Sequence, residues 1–531
     1  MAEGQHVELI ADHPSRGSMR GPRGGVACDH PLAAGAGMQV LREGGSAADA
    51  AIAMAAVMVV VQPQYSHLGG DSFAVCWDQQ SGDVTAMNSS GPAPVRLDPE
   101  TYRKRGSISI NGVDAVTVPG CVDGWSKLHE RYGRRPWARL FDDAIAIAGD
   151  GFPASRGFAR AVAAGRERIY PADFFRSVFG AVAGDGGQGV RQPALARTLQ
   201  AIQADNASGF YEGDVATACL SALNGRGARF VPEDWTGPAR WYEPLSVRFG
   251  DVTVHTQPPP SRGLILPLAL RAYERANPSR GSPVEAFKAT VEAFSVVNTY
   301  AGDPDITAFD AAATLRTPPA PSPVSTMPRD GDTTYILAID EAGNAVSLIQ
   351  SIFAPWGSGV FVPETGVLMN NRMCGFVLAP GHPNEIAPGK RPMHTLHSYL
   401  ATAGDVTELP MVGAAASPAT RRLAIVGGTP GADRQPQTNL QVLDGIVNEG
   451  LDPQDALDRP RWSTSPTDPG AVEVETRSES DLGAAFVAGG LRVIEESGWH
   501  GKFGRAFVAT VSPSGVAIGS DLRGEGTALV Y

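Results

Sequence analysis

Two adjacent threonines, Thr333 and Thr334, follow Asp332 at the end of a proline-studded run from Thr317 to Asp332. That run contains Pro318, Pro319, Pro321, Pro323 and Pro328. Prolines at that density fix φ and remove backbone donors, so the run cannot join a hydrogen-bond ladder and is expected to be an exposed loop. Strand formers come next. Tyr335 to Ile339 is β-branched and apolar, Glu341 to Asn344 supplies turn chemistry, and Ala345 to Phe353 is a second strand-forming run. The pattern predicts a hairpin. A loop ending in Asp332–Thr333 at the mouth of a strand is a place to cut. Cleavage there would leave Thr333 with a free α-amino group beside its own hydroxyl. A threonine hydroxyl is a weak nucleophile, and a terminal amine, with a reference pKa near about 8, can take its proton. The chemistry open to these residues is self-cleavage followed by acyl transfer through an N-terminal nucleophile. The plain alternative is two strand threonines after a loop.

The elements that would position Thr333 are legible along the chain. Gly25 to Cys28 is expected to be a short strand. Asp29, His30 and Pro31 open a helix that Gly44 and Gly45 stop. Ser46 and Asp49 are spaced as a capping box for a helix from Ala47 to Val61, apolar on every side and hence core. Gly69 and Gly70 suit a tight turn before a strand from Ser72 to Trp77. Helices are expected over Trp137–Ala148, Phe158–Arg168, Pro193–Ala204, Val215–Asn224 and Pro283–Tyr300. A strand pair is expected at Leu245–Phe249 and Val252–Thr256, packed by Trp235, Trp241 and Tyr242. A strand near Leu423–Val426 runs through Gly427–Thr438 into a helix from Asn439 to Asn448. Such a glycine-rich strand-to-helix turn presents backbone N–H groups that suit an oxyanion, although an ordinary connection has the same composition. Mixed helices and strands without an internal repeat indicate an α/β (α+β) fold.

Composition narrows the function classes. The 531 residues are 43% hydrophobic, ample for one large or two medium cores. Net charge is −12 with no basic run, which argues against a nucleic-acid partner. Five scattered cysteines, Cys28, Cys76, Cys121, Cys219 and Cys374, lack metal-ligand spacing and read as buried or free thiols in a reducing compartment. The start, Met1 to His6, has no apolar signal core, and the longest apolar run, Ala50 to Val61, is too short to span a bilayer. A cytoplasmic protein without a membrane partner is expected. Residues 1 to about 24 are polar and expected to be loosely ordered.

Asp332 to Tyr335, followed by the hairpin through Asp340–Ser347, resembles the processing site of the γ-glutamyltransferase (γ-glutamyltranspeptidase) family. The likeness runs from about Gly25 to Tyr531 in the family's order. It includes His30–Ala34, Gly44–Ala51, the Gly69–Gly70 turn, Val118–Trp125, Lys390–Pro392, Gly427–Thr438 and the tail from Gly519. The resemblance implies a four-layer αββα sandwich of the N-terminal-nucleophile type. It further implies cleavage between Asp332 and Thr333 into a large subunit, 1–332, and a small subunit, 333–531, which together form one catalytic domain. By the same likeness Thr333 is the nucleophile, Ser351 stands for a threonine that hydrogen-bonds it, and Gly431 with Ala432 stands for the oxyanion-hole glycine pair. No metal or organic cofactor is implied. The heterodimers could pair further.

The family's γ-glutamyl recognition set does not carry over. Ser90 stands where the family has an arginine for the substrate carboxylate, Phe353 for an asparagine, and Arg372 for a glutamine. Gly375 replaces the aspartate that pairs with the substrate ammonium, and His394 and Thr395 replace two serines. An ammonium buried without a partner charge costs several kcal/mol, so an α-amino acid head group is disfavoured. Arg372, His394 and Arg434 add donor or positive character, and an arginine forks well onto a carboxylate. The set is most similar to a branch that includes oxamate amidohydrolases. The expectation is therefore a self-processing hydrolase cleaving an amide or oxalyl-type acyl bond of a small acidic substrate. The alternatives are a true γ-glutamyl hydrolase or transpeptidase, a C–C bond hydrolase of the alkylproline antibiotic type, and an uncleaved binding protein.

Overall fold

A computed structural model describes residues 17–276, 281–307, 309–319, 331–404, 421–465, 468, 470–477 and 481–531. Most of the proline-rich loop, including Pro321, Pro323 and Pro328, lies outside the described residues, as does the chain before residue 17.

Two seven-stranded antiparallel sheets lie face to face. In the first, the interior strand Thr334–Ile339 is flanked by Gly25–Cys28 and Ala345–Ser351. Asp71–Asp78, Asp83–Ser89 and Arg240–Tyr242 extend one side, and Thr527–Val530 closes the other. The second sheet runs from Met19–Gly21 through Gly515–Ser520, Phe507–Ser512, Arg422–Gly428, Tyr399–Ala403 and Val252–Thr256 to Leu245–Phe249. Segments on both sides of Asp332 thus supply strands to both sheets. The hairpin predicted around Glu341–Asn344 forms, with Thr334 opposite Gln350 and Ile339 opposite Ala345. Met19–Gly21, inside the stretch expected to be loose, instead pairs along Val516–Ile518.

Strand alternation sorts the core into layers. Tyr335, Leu337 and Ile339 face the second sheet, where they meet Leu400, Val426, Phe507 and Ile518. Ile336 and Ala338 face the other way, onto the helices Pro31–Arg42 and Ala47–Val61. The outer face of the second sheet is covered by Ile265–Arg275, Pro283–Tyr300 and Gln435–Val447. The result is the αββα sandwich.

The helix Ala47–Val61 is buried along its whole length, as its apolar circumference requires. Its capping box is present: Asp49 N–H donates to Ser46 Oγ at 3.1 Å, and Ser46 N–H to Asp49 Oδ2 at 2.9 Å. Asp340, which closes the turn after this interior strand, accepts from Ala47 N–H at 3.1 Å and from Asn344 N–H at 3.0 Å. The far end of the Thr334–Ile339 strand is thereby tied to the most buried helix of the fold.

Two expectations are corrected, and one helix is added. Trp241 and Tyr242 do not pack the Leu245–Thr256 strand pair. They form an edge strand of the first sheet, and Trp235 lies against Phe210 and Phe230. Composition alone cannot say which sheet an aromatic joins. The helix after the glycine turn begins at Gln435 rather than Asn439, because Pro436 sits in its first turn, where a missing N–H costs nothing. A further helix, Ile265–Arg275, follows the Pro258–Gly263 loop.

Candidate active site

Thr333 lies at the N-terminal end of the strand Thr334–Ile339, one residue before the Thr334–Gln350 pair, and is 1% exposed. The peptide group between Asp332 and Thr333 is held on both sides. Ser351 Oγ donates to the Asp332 carbonyl oxygen at 2.9 Å. The Thr333 N–H donates to Asp332 Oδ1 at 2.8 Å. Phe353 N–H donates to Ser351 Oγ at 2.7 Å, and Asp332 N–H to the Phe353 carbonyl at 2.9 Å. Phe353 adopts a left-handed φ of 80°, a conformation costly for a bulky side chain. Gly70 closes the glycine turn directly against the Ser351 carbonyl, where a Cβ would not fit.

The second sheet brings the glycine turn. After Arg422–Gly428 the chain passes Gly431 at φ 128° and Ala432 at φ 49° into the helix Gln435–Val447. Gly428 abuts the Tyr335 ring so closely that a Cβ would overlap it. A Cβ placed on Gly331 would lie 3.2 Å from Ala432 Cβ and 3.2 Å from the Phe353 carbonyl oxygen. The stretch Gly331–Asp332 therefore fills the space between the glycine turn and Phe353.

One residue that sequence reasoning missed completes this cluster. Arg505 places its guanidinium on both Asp332 oxygens, at 3.1 and 2.8 Å, on the Thr333 carbonyl at 3.2 Å and on Asp29 Oδ1 at 3.2 Å. It lies over the Tyr65 ring, 4.9 Å from its centre. Burial disfavours its charge, but Asp332 and Asp29 outweigh that and hold its pKa well above the ordinary guanidinium value. Burial pushes Asp29 up to about 6, with Arg505 opposing and Asp332 adding to the shift. The local sequence, His500 to Ala506, holds a lysine as well as Arg505 and gives no motif that singles the arginine out.

The chain around Phe503–Gly504 carries Arg505 to this place. Gly504 sits beside Gly431 and Thr429. The Phe503 carbonyl accepts from Thr438 Oγ1 at 2.8 Å and from Arg461 at 3.2 Å, and Arg461 also bonds the Gly504 carbonyl at 3.2 Å. Arg461 pairs with Asp521 at 2.7 Å, which pairs with Arg523, which in turn holds Glu475.

The residues expected to meet substrate fall into two groups. Arg372, His394 and Thr395 converge on Asp71, which the sequence presents only as the end of the glycine turn. Arg372 Nε donates to Asp71 Oδ2 at 3.2 Å, and His394 Nε2 lies 3.0 Å from the same oxygen. Arg372 also reaches Thr395 Oγ1 at 3.5 Å and stacks 4.9 Å over Phe353. Ser90 adjoins them through Gly91, whose N–H donates to Asp71 Oδ1 at 3.3 Å. One terminal nitrogen of Arg372 and Nδ1 of His394 are buried with no hydrogen-bond partner among the described residues. Burial, with Arg372 nearby, lowers His394 to about 4, so the ring is neutral at pH 7. Asp71 thus balances Arg372, and this cluster is less cationic than its sequence suggests. Gly375 has a steric reason to be glycine: a Cβ there would lie 2.5 Å from the Met393 carbonyl oxygen. Arg434 stands apart, paired with Glu473 at 3.3 Å and reaching Ser463 at 3.4 Å. Among the described residues no group of His, Cys, Asp and Glu side chains is arranged to hold a metal, and no helix is long and apolar enough to cross a membrane.

The four-layer αββα sandwich is the fold of the N-terminal-nucleophile hydrolase class. Within that class the chain belongs to the gamma-glutamyltranspeptidase family, whose profile matches residues 33–531. It is 32% identical over 468 residues to the glutathione hydrolase-like YwrD proenzyme of Bacillus subtilis strain 168, covering 84% of this chain and 86% of that protein. It is also 32% identical over 465 residues to the oxamate amidohydrolase proenzyme of Klebsiella pneumoniae, covering 83% and 84%. The structure of a cephalosporin acylase from Bacillus halodurans superposes with a TM-score of 0.86 at 29% identity, covering 100% of this chain and 99% of that one. The chain is an enzyme of the hydrolase and acyltransferase class of this family.

Proposed function

We propose that the protein is a precursor that cuts itself between Asp332 and Thr333 and then hydrolyses an acyl bond of a small acidic substrate. The observation that carries this reading is the hydrogen bond from Ser351 Oγ to the Asp332 carbonyl, on a peptide bond already clamped at its N–H. A polarised carbonyl beside a threonine side chain is the starting geometry for an N-to-O acyl shift. The Thr333 oxygen adds to the Asp332 carbonyl carbon, the C–N bond breaks, and the hydroxyl proton passes to the departing nitrogen. Water then hydrolyses the ester, giving an Asp332 carboxylate and a free Thr333 amine.

In the processed enzyme, 1–332 and 333–531 remain one folded unit, because both contribute strands to both sheets. The Thr333 amine takes the proton of its own hydroxyl, the oxygen attacks the substrate acyl carbon, and the proton goes on to the leaving group. The N–H groups of Gly431 and Ala432 receive the oxyanion, and water resolves the acyl-enzyme. Phe353, Arg372, His394 and Thr395, clustered with Asp71 beside Ser351, are the side chains this reading assigns to the substrate's acidic end. A γ-glutamyl head group would need a carboxylate for its ammonium, and Asp71, the buried acid nearest these residues, is committed to Arg372 and His394.

Intact mass of purified protein beside Thr333→Ala tests this reading. Two fragments from the wild type, with Thr333 at the new N-terminus, and one chain from the variant are expected. The processed protein should then release p-nitroaniline faster from carboxyacyl anilides than from the γ-glutamyl anilide. A wild-type chain that stays whole after long incubation would instead favour a non-catalytic binding protein.

A further inference from the structure

We propose that Arg505, with Tyr65 and Asp29 behind it, is the anchor for a carboxylate carried by the substrate's acyl group, and that the Asp332 side chain fills this anchor in the precursor. The proposal deepens the hydrolase reading above and rests on it.

The argument begins with what lies over Arg505. A part-buried guanidinium forks onto a carboxylate with both oxygens engaged, the geometry in which arginine binds carboxylates best. The carboxylate belongs to the residue whose own carbonyl carbon is the one Thr333 would attack. Asp332 therefore spans two fixed points, with its carbonyl on Ser351 Oγ and its side chain on Arg505. Only Cα and Cβ separate these points. Gly331 and Asp332 also occupy the space in front of Ala432 and Phe353. Once the peptide bond is cut, no bond from Thr333 holds Asp332 there. An acyl group entering that space would set its carbonyl against Thr333 and Ser351 and meet Arg505 at its far end.

Length then selects the substrate. A four-carbon dicarboxylic monoacyl group, succinyl in type, has the same two carbons between its carbonyl and its carboxylate as Asp332. An oxalyl group has none and cannot reach both points. Charge agrees. With Asp332 withdrawn, Arg505 faces Asp29 alone, and one incoming carboxylate restores the charge of the precursor site. The hydrogen bonds from Arg461 and Thr438 to the Phe503–Gly504 turn keep the guanidinium in position after Asp332 leaves.

Calorimetric titration with acetate, in protein that cannot cleave, separates this from the hydrolase reading, because acetate replaces only the Asp332 side chain and leaves the uncut backbone in place. Thr333→Ala keeps Asp332 on Arg505 and is expected not to bind acetate. Asp332→Gly in the Thr333→Ala background vacates the side-chain end of the anchor and is expected to bind it. Adding Arg505→Gln should weaken that binding by at least about thirtyfold, the usual consequence of removing one partner of a buried charge pair. Asp332→Ala titrated with formate serves in place of Asp332→Gly if the latter melts early. In processed protein, where Gly331–Asp332 can leave, succinate should bind and oxalate should not. Equal binding with and without Arg505, or no anion binding when the Asp332 side chain is removed, would overturn the proposal even if wild type cleaves and hydrolyses. A wild type that never cleaves would sink the hydrolase reading while leaving the acetate result to stand by itself.

Discussion

Ser351 Oγ donates a 2.9 Å hydrogen bond to the carbonyl oxygen of Asp332, a residue 19 positions earlier in the chain. The hairpin makes this contact, because the register that pairs Thr334 with Gln350 sets Ser351 opposite the peptide bond just before the strand.

Ser351→Ala should slow self-cleavage by about a hundredfold, the scale for losing one donor to a reacting carbonyl, while Ser351→Thr retains most of the rate. The rate at which full-length mass disappears after purification measures this. Cleavage of Ser351→Ala at the wild-type rate would remove Ser351 from the chemistry.

Arg372→Met should destabilise the fold by about 3–5 kcal/mol, because it leaves Asp71 a buried carboxylate with only His394 and a backbone N–H beside it. The same change removes a cation that depresses the imidazole, so His394 should titrate at a higher pH than in wild type. Denaturant melts and the His394 ring resonances report the two effects separately.

Gly428→Ala should cost about 1–3 kcal/mol by overpacking, since its new methyl would overlap the Tyr335 ring between the sheets. Thermal melting measures it. The companion change Tyr335→Leu, which empties that space, should recover part of the loss.

Stability should fall as pH drops from about 6.5 towards 4. His30, His394 and His397 are lowered to about 4 by burial, and His67 and His255 to about 3. Their folded-state pKa values lie below the unfolded value, so the stability they contribute is present above 6.5 and lost on acidification. Asp29 opposes this. Its folded pKa, raised to about 6, favours the folded state at low pH, and that contribution is lost as pH rises through 6. Five histidines outweigh one carboxyl. Asp29→Asn should therefore steepen the acid loss, as denaturant midpoints at pH 7, 6 and 5 would reveal.

The hairpin at the proposed processing site was readable because its signals are local. A proline-rich run, Asp332, Thr333 and two strand-forming stretches lie consecutively in the chain, and a hairpin turns them into a site by short-range pairing alone. The helix Ala47–Val61 was readable for the same reason, from its capping residues and uniform apolarity. Trp241 and Tyr242 were misplaced because an aromatic pair announces burial, not which of two sheets buries it.

The sequence by itself determined the hairpin that Thr333 heads, the capped apolar helix behind it and the family likeness from which the proposed cut and the replaced recognition positions are read. Only the tertiary structure decided what those replacements mean. Arg372 reads as free positive charge until Asp71, 301 residues away, is found to balance it. Arg505 carries no motif, yet it reaches Asp332 across 173 residues and Asp29 across 476. Charge pairing depends on distance in space at low dielectric, and spacing along the chain contains no record of it.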